Sequence, residues 1–409
     1  MHAKTIHGWV FWLLFLSCFL ASSVDAQYFD INGHKKRVII PFRLVRNMII
    51  IKVEINNKGP FNFIMDTGVG LMIITDPQLI DSLKVCKNRT LKLGGLGEGD
   101  DYEAYATAPL QINIPGLTSH DVAAAILKKD NFGLSNYAGM PIHGLLGYEF
   151  FNNLAVRVDF SDSTLTVYRP GDVRLYGKGE KIPITIEDHK PYLETNVNMP
   201  DGCIKKTKLV IDLGAGHPLL LENMEKALPK NCIAANLGMG FNGPVSGYIS
   251  RISEVELGKY KIRNIVSSFP TGDSLICKSE DIKRDGNLGL GILKRFIIVF
   301  DYHNNLIYLK PGPNFKEPFE HDMSGLEYYA GGDDYKHIII SRVEPGSAGD
   351  TIGLEKDDEI LSINLKPTST MSLEQIDDIF KSQNDRNLVL EVFHDNKHDM
   401  VIMTLKRRI

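Results

Sequence analysis

Phe63-Ile-Met-Asp66-Thr67-Gly68 and Leu209-Val-Ile-Asp212-Leu213-Gly214 are one pattern written twice, 146 positions apart: three apolar residues, an aspartate, and a glycine two positions later. A turn aspartate explains one such triplet. It does not explain what surrounds the pair. Upstream, Ile40-Pro41-Phe42 recurs as Ile182-Pro183-Ile184. Downstream, Leu93-Gly-Gly-Leu-Gly-Glu-Gly99 is echoed by Leu237-Gly-Met-Gly-Phe-Asn-Gly243, and Gly144-Leu-Leu-Gly147 by Gly289-Leu-Gly291. Val156-Arg-Val-Asp159-Phe160, closing at Pro170-Gly171, returns as Ile298-Val-Phe-Asp301-Tyr302, closing at Pro311-Gly312. The order never changes and the offset drifts only between 141 and 146, the mark of duplication with small loop changes. Two homologous lobes follow, residues 27–171 and 172–312. Runs such as Met48-Ile-Ile-Ile-Lys-Val-Glu-Ile55 and Phe296-Ile-Ile-Val-Phe300 are β-branched or aromatic and bounded by turn residues, so both lobes are expected to be mainly β.

Pro311-Gly-Pro-Asn-Phe-Lys-Glu-Pro318 breaks the pattern, and residues 313–321 read as a linker to a third unit, 322–409. That unit has an apolar strand, His337-Ile-Ile-Ile-Ser-Arg-Val343, and a helix near Ser372 to Ser382. Ser372 with Gln375 forms a capping box there, and Leu373, Ile376, Ile379 and Phe380 share a face. Two strands, 388–393 and 400–405, end the chain.

Duplication would set Asp66 and Asp212 side by side across a pseudo-two-fold axis. Two carboxylates at close range cannot both ionise easily, so they share a proton and supply one base and one acid. The base takes a proton from a water attacking a carbonyl while the acid protonates the carbonyl oxygen.

At these residues the chain resembles the aspartic peptidases of the pepsin and retropepsin type, over nearly all of residues 38–312. Leu288-Gly-Leu-Gly-Ile-Leu-Lys-Arg-Phe-Ile-Ile-Val-Phe-Asp301-Tyr-His-Asn-Asn305 looks like the C-terminal lobe of pepsins. The resemblance implies a bilobal, acid-protease-like double-β-barrel fold and endopeptidase activity on extended polypeptides. It implies Asp66 and Asp212 as the catalytic dyad, with Thr67, Gly68, Leu213 and Gly214 supporting the loops. It further implies a flap that contains Gly94, Gly95, Gly97 and Gly99. Leu213 departs from the family, which has Thr or Ser there; leucine cannot donate the hydrogen bond that joins the two loops. A degenerate, exported peptide-binding protein is the competing expectation.

Residues 322–409 resemble an α+β PDZ domain through Val343-Glu-Pro-Gly-Ser-Ala348 and Gly353-Leu-Glu-Lys-Asp-Asp-Glu-Ile-Leu-Ser-Ile-Asn364, with Asp357 where Gly is common. Such domains add an extended peptide to a sheet edge. The resemblance places that peptide between His337, Ile338, Ile339, Ile340 and the helix bearing Ile376, beside the Gly331-Gly332 loop. Asp333 and Asp334 would repel a terminal carboxylate, so binding of an internal peptide, or packing on the other lobes, is equally open.

Lys plus Arg number 46 and Asp plus Glu 50, so there is no basic excess to neutralise phosphates and no nucleic-acid partner is expected. Lys4 followed by the apolar run 10–21 has the length of a signal-peptide core, short of the ~20 residues of a spanning helix. Residues 1–26 are read as a signal ending at Val24-Asp25-Ala26, which exports the chain to a bacterial periplasm or beyond. A lipoprotein anchored through Cys18 is the minor alternative. Cys86, Cys203, Cys232 and Cys277 remain as bridges or as buried free thiols. No metal or organic cofactor is expected. Gly238-Met-Gly-Phe-Asn-Gly243 has a dinucleotide-site spelling but is followed by Pro244 and opens no helix; it reads as a β-hairpin. His394 and His398 fall in a strand and turn, a poor setting for a metal pair.

Overall fold

The computed structural model describes residues 28–130, 132–175, 177–224, 228–271 and 283–409. The signal segment, Cys18 and Cys277 lie outside the described residues. The chain is mainly β and bilobal, with a separate α+β PDZ-like domain. An eleven-stranded sheet builds the first lobe and an eight-stranded sheet the second. Period-two burial explains the strands: in Met48–Ile55 the side chains of Val53 and Ile55 turn inward while Lys52 and Glu54 face solvent.

The second lobe closes into a barrel. Lys190–Asn198 pairs on one side with Ile204–Asp212 and on the other with Gly243–Leu257, completing a ring through Gly286–Gly289, Leu219–Leu221 and Tyr260–Pro270. The first lobe keeps the counterpart of that pair, Glu54 and Ile55 against Asn113 and Ile112, but the strands matching Gly243–Leu257 and Tyr260–Pro270 are each broken in two, and its sheet curls as a half-barrel.

A third sheet joins the lobes. Its six strands run Glu180–Pro183, Leu306–Pro311, Phe296–Asp301, Ala155–Asp159, Thr164–Tyr168, Arg37–Pro41, three from each lobe in mirrored order. The two copies of the Val156 and Ile298 repeat meet at its centre, with Val156 opposite Phe300. One apolar core, including Ile40, Phe151, Leu213 and Phe300, runs through both lobes, while the PDZ-like domain has its own around Ile340, Ile376 and Phe380.

Each aspartate leaves the end of a central strand. Lys58–Met65 lies parallel to Gly144–Leu146, which is antiparallel to Met72–Ile74, so the chain crosses over the middle strand between Met65 and Met72. Ile204–Asp212, Gly286–Gly289 and Leu219–Leu221 repeat this arrangement. The structural counterpart of Gly144 is therefore Gly286, and the sequence pairing of Gly144–Gly147 with Gly289–Gly291 is corrected by three residues. A glycine-rich match carries little register information, whereas hydrogen-bonded pairing fixes it.

In the PDZ-like domain the capping box forms as the sequence predicts, and Leu373, Ile376 and Phe380 are buried. Asp357 adopts a left-handed φ of 72°, which accounts for glycine being common there. The linker is a fixed strap. Arg295, buried at 6% exposure, donates to the carbonyls of Glu317 and Pro318 and lies 3.6 Å from the Phe319 ring centroid.

Candidate functional site

The two Asp-x-Gly turns are packed face to face. A Cβ on Gly68 would lie 2.9 Å from the Asp212 carboxyl carbon, and one on Gly214 would lie 2.2 Å from that of Asp66, so a side chain at either position would collide with the opposing carboxylate. The Gly68 amide donates to Asp66 Oδ1 at 2.7 Å; those of Gly214 and Ala215 donate to Asp212 Oδ1 at 2.9 and 3.1 Å. The two carboxyls are close enough for each to act on the other's charge. Burial, then the charge of Asp212, pushes the Asp66 carboxyl well above the usual carboxylate range, against weaker opposing pulls from the Gly68 amide and Lys190.

Thr67 bridges the lobes. Its hydroxyl donates to the Ile211 carbonyl at 2.6 Å and accepts from the Leu213 amide at 2.9 Å. Leu213 makes no reciprocal side-chain bond; its side chain is wholly buried in the shared core. Half of the expected bracket is thus present, built by one hydroxyl serving two backbone groups.

Several residues beside the aspartates carry no motif. Asn287 Nδ2 donates to Asp212 Oδ2 at 2.9 Å, from a position whose first-lobe counterpart is Leu145. Burial lowers the His217 imidazole to about 4. Tyr302 is buried with its hydroxyl unpartnered among the described residues, and its titration is pushed upward by burial, Tyr148 and both aspartates.

Two hairpins brace the loops across the lobe boundary. Asn47, in the two-residue turn after Arg43–Val45, donates through Nδ2 to the Gly216 carbonyl at 2.9 Å. His189, 142 positions later in the matching turn, reaches Gly70 O at 3.2 Å through Nδ1 and stacks on Tyr148. Both turns hold positive φ at two successive residues, the twist that suits a two-residue hairpin. The repeat offset carried the signal for this pair, but neither residue type announces it.

Gly94, Gly95, Gly97 and Gly99 lie in the turn between Lys87–Leu93 and Tyr102–Thr107. The echo at Leu237–Gly243 is a β-hairpin, as its sequence predicts, and its tip clasps the first-lobe turn. Asn242 donates its amide to Leu96 O at 2.9 Å and accepts from Gly99 N at 2.6 Å. Phe241 packs edge-on against Tyr102 and Phe132, with centroids 5.2 and 5.5 Å away. A Cβ on Gly95 would sit 2.7 Å from Phe241 and one on Gly99 2.3 Å from Asn242, so close approach requires both glycines.

The PDZ-like domain corrects one expectation. His337–Val343 is hydrogen-bonded to strands on both sides, so it has no free edge for an added peptide. Ile338, Ile340 and Ile376 are core residues, Ile339 is half-buried, His337 pairs with Glu359, and Gly331-Gly332 opens the hairpin turn. The sheet edge is Leu326–Gly331, lying beside the helix Leu373–Phe380; Tyr328 stacks edge-on against Phe380. The apolar run beginning at His337 is the stronger strand signal because an interior strand is the more hydrophobic, and this misdirects the search for an edge.

Cys86 and Cys203 are exposed and Cys232 half-buried, all three as free thiols. The expectation of buried thiols fails for Cys86 and Cys203. His394 and His398 stand on opposite strands of a hairpin, beside Asp358 and Glu391 respectively. Among the described residues no helix is long and apolar enough to cross a membrane, and no cluster of His, Cys, Asp and Glu is arranged to hold a metal.

Two stretches of the chain match known families. Residues 51–150 match the family described as aspartyl protease, and residues 316–392 match the PDZ domain family. Among solved structures, an aspartic proteinase from Irpex lacteus aligns with 69% of this chain and 99% of its own, at 12% identity and a TM-score of 0.45. No curated protein matches the chain.

Proposed function

From the premise that the chain carries an aspartyl-protease-family domain fused to a PDZ domain, we propose that it is an exported aspartic endopeptidase whose dyad is Asp66 and Asp212. The observation that carries this reading is the face-to-face packing of the two Asp-x-Gly turns, each glycine set against the opposing carboxyl, with Asp66 raised by burial and by the charge of Asp212. The pair holds one proton. Asp212, which receives hydrogen bonds from Gly214, Ala215 and Asn287, takes a proton from a water as that water adds to the peptide carbonyl. Asp66 gives its proton to the carbonyl oxygen. Collapse of the tetrahedral intermediate returns that proton to Asp66 as the carbonyl reforms, while the proton held by Asp212 passes to the leaving amine. The clasped hairpins at Leu96 and Asn242 form the cover that parts to admit an extended polypeptide. Because the acid form of Asp66 is required, cleavage declines as pH rises through its raised value.

Incubation with denatured casein from acidic to neutral pH tests this. Pepstatin-sensitive cleavage is expected, reduced by about 10³-fold in Asp66→Asn and in Asp212→Asn, with unchanged circular dichroism. Undiminished cleavage by either variant would overturn the dyad. Leu213 favours a second reading, a non-enzymatic peptide binder, and the absence of cleavage at every pH by folded protein would establish it over the first.

A further inference from the structure

The edge of the PDZ-like sheet is already engaged by the chain itself, and the residue engaging it is an arginine. Arg46 sits at the tip of the first-lobe hairpin with a φ of 44°. That φ is the one its two-residue turn requires, and it aims the side chain away from the first lobe's own sheet toward the third domain. Its Nε and Nη2 grip both oxygens of Asp377 on the helix at 3.2 and 3.0 Å. Nη1 donates to the carbonyls of Tyr328 and Tyr137 at 3.1 and 3.3 Å, and the backbone amide donates to Glu374 at 2.9 Å. The guanidinium lies 4.8 and 4.4 Å from the ring centroids of the same two tyrosines. A planar fork between a carboxylate, two carbonyls and two aromatic faces is chemistry that lysine cannot reproduce.

The rest of the edge is filled in the same manner. Asn136 donates to the carbonyl of Ala330 at 3.0 Å, so first-lobe side chains hold two alternate carbonyls of the edge strand, groups that an added strand would use. At the start of that strand, Asp322 accepts from the amides of Ser324 and Gly325 at 2.9 and 2.7 Å. A terminal carboxylate would find those donors occupied by an acid, so the geometry suits an internal segment of chain.

We propose that the groove between Leu326–Gly331 and Leu373–Phe380 is an arginine-reading site, occupied in the resting chain by Arg46 and opened by an extended polypeptide segment that presents an arginine in its place. This rests on the peptide-binding reading of the PDZ domain and not on catalysis. Occupancy is transmitted by neighbours already named. Asn47, adjacent to Arg46, holds Gly216 in the loop of Asp212. The PDZ-like domain also grips Asn236, in the second-lobe hairpin that forms the clasp, through Glu344 and Glu327 at 3.1 and 3.0 Å. Displacing Arg46 therefore loosens the Asp212 loop, with Asn47 acting as a positioning residue.

The test uses the full chain and a fluorescein-labelled, C-terminally amidated peptide of residues 44–50, whose one arginine is Arg46, together with the same peptide carrying Arg46→Ala. The Arg46→Ala chain, its groove vacated, should bind the arginine peptide at least tenfold more tightly than the wild-type chain and at least tenfold more tightly than it binds the alanine peptide. Adding Asp377→Asn should abolish that preference. Equal affinity for both peptides, or no binding by an Arg46→Ala chain that melts cooperatively, overturns the proposal. Should that chain fail to fold, Asp377→Asn alone leaves the hairpin sequence intact and should accelerate amide exchange at residues 43–48 and 214–216; unchanged exchange there overturns it equally. A chain that meets these expectations and cleaves no casein sustains arginine reading and sinks the peptidase reading alone.

Discussion

In the first lobe the residue after the aspartate is Thr67, whose hydroxyl ties together Ile211 O and Leu213 N; in the second it is Leu213, whose side chain is swallowed by the core. The reverse holds one layer away, where Asn287 donates to Asp212 while its counterpart Leu145 is apolar and buried. A similar exchange appears behind the loops. Glu149 accepts the buried amide of Met72, whereas the position 142 residues on is Gly291, lying against Pro218, a residue with no N–H to satisfy. The duplicated backbone has thus been kept while its polar groups were redistributed, and at Met72 and Pro218 a buried donor and its acceptor were exchanged together. Two half-sites that look unequal residue by residue are complementary as a pair, and that is why the leucine need not unravel the loops.

Three substitutions probe this division. Thr67→Val strands two backbone groups, and at about 2 kcal/mol for each unpaired group it should cost about 4 kcal/mol, read by urea unfolding, with about a hundredfold loss of casein cleavage. A loss below about 1 kcal/mol would show that the lobes are not joined through this hydroxyl. Glu149→Gln is next. Burial raises the Glu149 carboxyl from 4.5 to about 7, so the folded state holds a proton that the unfolded chain releases, and stability is lost as pH rises from about 4.5 through 7. The variant cannot ionise; it should match the wild type near pH 4 and exceed it by up to about 3 kcal/mol at pH 9 in thermal melts. Parallel pH profiles would refute the assignment. Leu213→Thr is the smallest. It restores the hydroxyl at the expense of a fully buried isobutyl group, and a loss of about 2 kcal/mol is expected, with cleavage changed by less than tenfold. A large gain in cleavage would mean that the missing hydroxyl limits the site after all.

The two hairpins extend the contrast. Asn47 and His189 do the same mechanical work on opposite loops, and the Asn47 hairpin also reaches the PDZ-like domain, through the neighbouring Arg46 and Asp377. Its counterpart Asp188, an acid, would be repelled by Asp377 and Glu374. On the proposed dyad, a contact that reaches one aspartate loop and not the other would unbalance the pair.

Legibility followed the range of each interaction. Strand periodicity, the capping box at Ser372 and Gln375, and the matched Asp-x-Gly turns are local patterns, and each is recovered in the fold. In the PDZ-like domain hydrophobicity marks the interior strand and not the edge, and where glycines alone carry the repeat they leave its register undetermined by three residues. Asn287 and Arg46 have no local signature, and Tyr302, though it ends the second copy of a repeat, carries no sign there that it lies beside the aspartates.

Taken alone, the sequence determined that the chain is duplicated, mainly β, and joined to a third unit, because duplication and alternation are written in neighbouring residues and in a constant offset. Only the tertiary structure decided that Thr67 braces both loops, that the Gly-rich turns clasp each other, and that Arg46 fills a groove 331 positions away. Those contacts join residues far apart in the chain with no shared period, so they exist only once the lobes and the third domain have packed.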